Sequence, residues 1–136
     1  MKTALWEVQT AFYSALTAHQ PLMDKVVGVY DTAPESPEYP YVTIGEPTVS
    51  PFDNKVTNGE NIVWVLHCWS QYNGKKEAME ILNLMNEAFT EQPLQIGGGF
   101  FVQDFKRDSG NALRVITDVD GQTRHGILRV RLYVTQ

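Results

Sequence analysis

Two stretches of the chain carry apolar residues at the three- and four-residue spacing of an amphipathic α-helix. The first covers residues 3–27, and its apolar stripe is Ala4, Leu5, Val8, Ala11, Phe12, Ala15 and Leu16. Proline lacks the amide donor that a helix interior requires. Pro21 therefore predicts that the first helix ends near His19 and that residues 22–27 add a short second turn.

The second helical stretch covers residues 75–91. Its apolar stripe is Ala78, Ile81, Leu82, Met85, Ala88 and Phe89. Asn73 precedes this stripe and is the predicted N-cap, because an asparagine side chain can accept a hydrogen bond from a free amide of the first turn. Pro93 is expected to stop the helix.

Much of the remaining chain favours extended structure, with the two-residue alternation of β-strands clearest near its end. Strands are predicted at 29–30, 41–49, 60–70, 100–107, 112–118 and 125–135. In the last of them the apolar set is Leu128, Val130, Leu132 and Val134, and the other set is Arg129, Arg131 and Tyr133. This alternation predicts one buried face and one polar face. His67 and Trp69 are expected on the polar face as well.

Turn residues separate these strands. Asn58-Gly59 and Asp120-Gly121 tolerate the positive φ of a tight turn, so each predicts a β-hairpin. The first is expected to join strands 41–49 and 60–70, with residues 50–57 forming either a longer loop or an irregular strand arm. Residues 33–40 contain three prolines and predict a stiff loop that leads into a strand, with Tyr39 and the tyrosine that follows Pro40 packed at the sheet rim.

The order of helix, strands, helix and strands predicts the α+β class. In this arrangement two main helices pack on one face of an antiparallel or mixed sheet of about five strands. With 136 residues, the chain fits a single domain spanning 1–136. A domain of this size buries roughly two thirds of the surface of its unfolded chain. The hydrophobic content of 43% is therefore enough for a real core.

The net charge of −5 restricts the classes of partner. Affinity for nucleic acid depends mainly on basic groups that neutralise phosphates, and the one candidate basic cluster is Arg124, Arg129 and Arg131. The N-terminal residues lack the apolar core of a signal peptide, and no apolar run is long enough to span a bilayer. We therefore expect no membrane partner and a protein made and used in the cytosol, or in a particle assembled there.

The sequence predicts no catalytic, cofactor or metal site. His19, His67 and His125 lack the spacing of metal ligands. The segment Asp118–Gly121 begins like a calcium loop but lacks its further ligands and closing glutamate, so we interpret it as a hairpin turn. Cys68 is the sole cysteine and lies in an apolar strand, which is typical of a buried thiol. No nucleophile elbow or phosphate-binding loop is present in the sequence.

Two motifs, taken in order, carry a family resemblance. One is Val29–Pro34 followed by Tyr39–Gly45, and the other is Asp118–Gly126 followed by the strand from Ile127 to Val134. Together with the first helix, the strand at Leu66–Ser70 and the second helix, they cover most of the chain. The sequence resembles the tail-completion or tail-terminator proteins of long-tailed phages and prophages, which are also called tail-to-head joining proteins.

This resemblance implies an α+β protomer that closes into a ring, usually of six copies, at the head-proximal end of the tail tube. Such a ring terminates tube growth and offers a surface to the head connector. DNA passes through it without being specifically bound. The implied partners are further copies of the chain, the major tail-tube protein and the head connector protein. The implied location is the virion tail, assembled in the cytoplasm of a host bacterium.

The candidate interface residues are Phe52, Asp53, Asn54, Lys55, Tyr39, Arg124, Arg129 and Arg131. Hairpin arms and sheet edges can join subunits by strand addition. Two other functions stay open at this point. One is a small protein-binding adaptor or assembly chaperone that docks through the proline loop. The other is an enzyme of unknown type, which requires a pocket lined by convergent polar groups.

Overall fold

The computed structural model describes residues 2–51, 58–110 and 112–136. Its helices are α1 (Leu5–Ala18), α2 (Gln20–Met23) and α3 (Lys76–Thr90). Its strands are β1 (Val29–Tyr30), β2 (Tyr41–Pro51), β3 (Gly59–Ser70), β4 (Phe101–Arg107), β5 (Leu113–Thr117) and β6 (Arg124–Thr135). The predicted α+β class is confirmed, and α1 ends beside His19 as predicted. The short second helix is Gln20–Met23 rather than residues 22–27, and Pro21 lies in its first turn instead of before it.

The strands form one mixed sheet in the order β1-β2-β3-β6-β4, and β5 also pairs with β6. β1 is parallel to β2, and the other pairs are antiparallel. β4 pairs with the second half of β6 and β5 with its first half, so β4 and β5 follow each other along one edge. Between them, the Asp108 amide donates to the Arg129 carbonyl, and the Arg129 amide donates to the Ala112 carbonyl. The sheet therefore has six strands but is five strands wide.

The core lies between one face of the sheet and the helices α1 and α3. Phe12 of α1 is at its centre and contacts the rings of Trp64 in β3 and Phe89 in α3, with centroids 5.3 and 5.0 Å away. The predicted inward set of β6 is fully buried: Leu128, Val130, Leu132 and Val134. Cys68 is buried as predicted, and burial raises the pKa of its thiol to about 12.

Neither of the two main helices begins with a side-chain cap from the residue at its N-cap position. For α1, the carboxylate of Glu60 in β3 accepts a hydrogen bond from the Ala4 amide at 2.9 Å. For α3, the predicted Asn73 cap is wrong, because the cap position is Lys75 and no side chain caps it. Gly74 has φ of 111°, which is incompatible with a helix running back to Asn73.

The hairpin predicted at Asp120-Gly121 is confirmed, because β5 and β6 are antiparallel neighbours on either side of it. Gly121 has φ of 73°, and the Asp120 carboxylate accepts hydrogen bonds from the amides of Gln122 and Thr123, both at 2.8 Å. The Thr123 hydroxyl also donates to this carboxylate, and these hydrogen bonds lower the pKa of Asp120. At the other site the predicted antiparallel pairing of the two strands is confirmed, since β2 and β3 are neighbours in the sheet. Gly59 is already part of β3 and pairs with Thr135.

Candidate functional site

The face of the sheet that points away from the helices is the first candidate surface. We call it the uncovered sheet face, since no helix of the described residues packs on it. Its members are Tyr41 and Thr43 of β2, Asn61, Val63, Val65, His67 and Trp69 of β3, and His125, Ile127, Arg129, Arg131 and Tyr133 of β6. All except Tyr41 are half-buried. The predicted placement of His67 and Trp69 with the arginines is confirmed.

Rings stack across one end of the uncovered sheet face. Trp69 lies between Tyr41 and His125, with centroids 6.2 and 3.8 Å away, and the planes of Trp69 and His125 are 10° apart. The Trp69 indole donates to the Thr43 hydroxyl at 3.1 Å. The Tyr39 ring, at the end of the proline loop, packs 5.2 Å from that of Tyr41. This end of the face is therefore held in one arrangement by ring contacts.

Two imidazoles in this region form a pair. His67 Nδ1 lies 2.7 Å from His125 Nε2, which requires one ring to donate and the other to accept. Burial lowers the pKa of His67. Burial, and then the neighbouring His67, lower the pKa of His125 to about 4, with a smaller opposing effect from Asp118. The pair is therefore neutral near pH 7.

The pair makes stability depend on pH in a defined direction. A histidine with a folded-state pKa below its unfolded value of about 6.5 binds fewer protons when folded, so stability is complete above that pH and falls toward pH 4. With allowance for solvent screening, we expect His125 to contribute a loss of roughly 2 kcal/mol over this window. His125→Phe keeps a ring on Trp69 without the titration. Urea unfolding at pH 7 and 4.5 should show a smaller pH effect in this variant, and equal pH effects would contradict the assignment.

The three predicted basic residues are not brought together. Arg129 and Arg131 are on the uncovered sheet face, whereas Arg124 pairs with Ser70 and has the opposite strand parity. The Arg124 guanidinium donates to the backbone carbonyls of Gly121 and Gln122 in the β5–β6 turn. Adjacent residues of a strand point to opposite faces of the sheet. Because Arg124 is an odd number of residues away from both Arg129 and Arg131, it points to the opposite face.

Arg129 and Arg131 share one carboxylate. Asp108, which follows β4 and is 8% exposed, lies 3.0 Å from Arg131 Nη2 and 3.5 Å from Arg129 Nη2. Arg131 Nε also donates to it at 3.0 Å. No local pattern in the sequence marks Asp108 as a partner, because the contact depends on how the chain crosses from β4 to β5. Two guanidiniums against one carboxylate leave positive charge on this part of the face.

Removing the carboxylate is expected to loosen both arginines. Asp108→Asn keeps the shape but loses the charge-assisted hydrogen bonds, and we expect unfolding free energy to fall by about 1–3 kcal/mol. Asp104→Asn is the matched control, since Asp104 is exposed and 3.9 Å from Lys106 Nζ. Its effect should stay within about 0.5 kcal/mol. Urea unfolding of both variants tests this, and equal losses would contradict a special role for Asp108.

The outer edge formed by β4 and β5 is a second candidate surface, which we call the open edge. In the part of the chain that the structure describes, no strand pairs with it. Exposed apolar side chains lie along it or at the adjoining turn: Phe101, Leu113, Ile116 and Val119. An unpaired edge with apolar side chains is a template for pairing with another chain.

The remaining sequence predictions have mixed outcomes. Tyr39 is half-buried against Tyr41, which confirms its packing at the sheet rim and leaves its interface role a prediction. Phe52, Asp53, Asn54 and Lys55 lie outside the described residues.

A cavity of about 540 Å³ lies between α1 and residues 91–97, and its lining includes Trp6, His19 and Glu91. None of the described helices has the length and apolar character needed to cross a membrane.

Comparison with known proteins gives one consistent result. The tail completion protein gp17 family matches residues 10–135. The tail completion protein gp17 of Bacillus phage SPP1 is 37% identical over 133 residues, which is 98% of this chain and 96% of that protein.

Two solved structures have the same fold. The structure of bacteriophage SPP1 gp17 has a TM-score of 0.69 at 37% identity, covering 96% of this chain and 91% of that chain. A chain in the virion of a native gene transfer agent particle has a TM-score of 0.78 over all of both chains, and at 19% identity this likeness concerns the fold alone. From its sequence match over nearly its whole length, the chain belongs to the tail completion protein gp17 family.

Proposed function

We propose that this protein is a structural component of a phage or prophage tail. In this proposal it forms a ring at the head-proximal end of the tail tube, terminates tube growth and joins the tail to the head connector. The observation that carries the proposal is the family match over residues 10–135, supported by a tail completion protein that is 37% identical. The proposed ring has six subunits.

The geometry supports ring formation because it offers two different surfaces. A closed ring requires a heterologous contact, in which one patch of a subunit meets a different patch of the next. The uncovered sheet face and the open edge are two such patches. The face has apolar residues at Val63, Val65 and Ile127, with Arg129 and Arg131 beside them. An apolar centre with a polar rim is the usual composition of an interface.

The arginines of the face are suited to an ionic contact between subunits. Asp108 holds both guanidiniums, so little side-chain freedom is left to lose on assembly. The pair keeps an excess of positive charge, whereas the chain has a net charge of −5. Acidic groups of a neighbouring copy are therefore natural partners for Arg129 and Arg131. Arg124, Tyr39, Phe52, Asp53, Asn54 and Lys55 remain proposed contacts.

The proposed partners are other copies of the chain, the major tail-tube protein and the head connector protein. DNA would pass through the lumen without specific contacts. An acidic protein suits this role, because phosphate binding depends on basic groups and the ring must not hold the DNA. The proposed location is the head-proximal end of the virion tail, after assembly in the bacterial cytoplasm.

Electron microscopy of a phage that lacks this protein tests the proposal. We expect tails of uncontrolled length, or tails that never join heads, and restoration of normal particles when the protein is supplied from a plasmid. Normal tails joined to heads in its absence would overturn the proposal. An assembly chaperone predicts a different result, since mature virions would then lack the protein, and mass spectrometry of purified particles separates the two functions.

A further inference from the structure

A buried histidine faces two glutamates at the end of the helical layer. His19 lies between α1 and α2 and is 9% exposed. Its Nε2 is 3.5 Å from a carboxylate oxygen of Glu87, and its Nδ1 is 3.5 Å from one of Glu91. Both glutamates have exposed side chains. The three residues come from the two main helical segments, which lie far apart in the sequence.

His19 Nε2 has no hydrogen-bond partner among the described residues, and it is buried. Buried polar atoms almost always have a partner, because leaving one unsatisfied costs roughly 1–3 kcal/mol in general. The Glu87 carboxylate oxygen 3.5 Å away does not form a hydrogen bond with His19 Nε2. Within the part of the chain that the structure describes, this nitrogen faces the Glu87 carboxylate without a hydrogen bond, while the other ring nitrogen faces Glu91.

The backbones that carry these three side chains are fixed. The His19 carbonyl accepts from the amides of Leu22 and Met23, and its amide donates to Leu16. The Glu91 amide donates to the Glu87 carbonyl, so the two glutamates are one helical turn apart on the same side of α3. One ligand atom from each of the three residues lies within 4.8 Å of the other two. Ligand atoms around one zinc ion are roughly 3–4 Å apart, so small rotations of the exposed glutamates would complete the set.

From this geometry we infer that His19, Glu87 and Glu91 form a binding site for a divalent transition-metal ion of the zinc class. One imidazole nitrogen and two carboxylates suit such an ion better than calcium or magnesium, which take oxygen ligands. The fourth position is open to water. His19 and Glu91 also line the cavity beside α1, which gives the ion a path from solvent.

The bound ion would link the α1–α2 junction to the end of α3. Because both helices cover the same sheet face, the link would stabilise the helical layer without touching the uncovered sheet face or the open edge. The inference therefore does not depend on the proposed tail function. The site cannot be predicted from the sequence, because its ligands converge only in the fold.

Titration of the chelator-treated full-length protein with Zn²⁺ tests the site. We expect uptake of one ion per chain by calorimetry and a large ¹⁵N shift of one His19 ring nitrogen, with the rings of His67 and His125 unchanged. At a hundredfold excess over Kd, the Tm should rise by on the order of 10 °C. Glu87→Gln and Glu91→Gln should each weaken binding by at least about tenfold, the loss that even outer-shell changes cause.

Glu35→Gln is the matched control, since it makes the same charge change at an exposed position in the proline loop. It should bind Zn²⁺ as the unchanged protein does. If the unchanged protein showed no saturable uptake of Zn²⁺, that result alone would overturn the inference. So would Zn²⁺ shifts at His67 and His125 in place of His19, or unaltered affinity in the double variant Glu87→Gln/Glu91→Gln.

Discussion

Replacement of Trp64 by alanine is expected to lower the free energy of unfolding by about 3–5 kcal/mol. Trp64 is 1% exposed and meets the edge of Phe12 at the centre of the core. Its indole nitrogen also donates to the Gly45 carbonyl at 2.8 Å. The substitution leaves a large cavity and removes a hydrogen bond from a partly buried carbonyl. Urea unfolding monitored by far-UV circular dichroism measures the loss.

Trp6→Ala provides a matched control for this change. Trp6 is 71% exposed on α1, so the same deletion should alter the free energy of unfolding by only about 0.5 kcal/mol. Comparable losses at the two positions would show that the core is not centred on Trp64.

Gly45, whose carbonyl accepts the Trp64 hydrogen bond, also lies close to the uncovered sheet face. The register of β2 and β3 shifts between Ile44 and Pro47, so Gly45 lies in a bulge. A Cβ atom at Gly45 would lie 2.5 Å from the Val65 carbonyl oxygen and 2.6 Å from His67 Nε2. The glycine therefore lets the bulge lie against β3 at the position of His67.

Val65→Glu is expected to leave the protomer folded and to prevent assembly. Val65 is half-buried on the uncovered sheet face, and Arg129 is its cross-strand neighbour, so the isolated protomer can accommodate a carboxylate there. In a ring contact the same carboxylate would be taken out of water. Because Arg129 is already bound to Asp108, the new carboxylate would be poorly paired there. Burial of such a charge costs roughly 3–5 kcal/mol, which weakens association by a hundredfold or more.

The measurement for this variant is complementation of the phage that lacks the protein, scored by infectious titre. Val27→Glu is the matched control, because Val27 is exposed in the connection between α2 and β1, away from that face. The control should restore the titre, and Val65→Glu should not, although both proteins unfold at the same urea concentration. Full complementation by Val65→Glu would remove the uncovered sheet face from the assembly contact.

The parts of the fold that could be predicted from the sequence are those set by local patterns. The alternation of apolar and polar residues along β6 predicts its buried face, and Asp120-Gly121 predicts the hairpin that precedes it. Both patterns are properties of a few adjacent residues, so they can be recognised in the sequence. The Asn73 cap failed for a local reason too, since Gly74 adopts a φ that no continuing helix allows.

The contacts within the candidate surfaces could not be predicted, because they depend on the register between distant segments. His67 meets His125 only because β3 and β6 pair with Trp69 opposite His125. Asp108 reaches Arg129 and Arg131 only because the edge strand is interrupted opposite Arg129. Strand parity, in contrast, was available in the sequence and would have separated Arg124 from those two arginines.

Cryo-electron microscopy of purified tail tubes incubated with this protein tests the central claim most directly. The proposed function predicts a ring of density at one end of each tube, with the uncovered sheet face at the contacts between its subunits. Tubes that acquire no terminal density, or a ring in which this face is turned to solvent, would contradict the account.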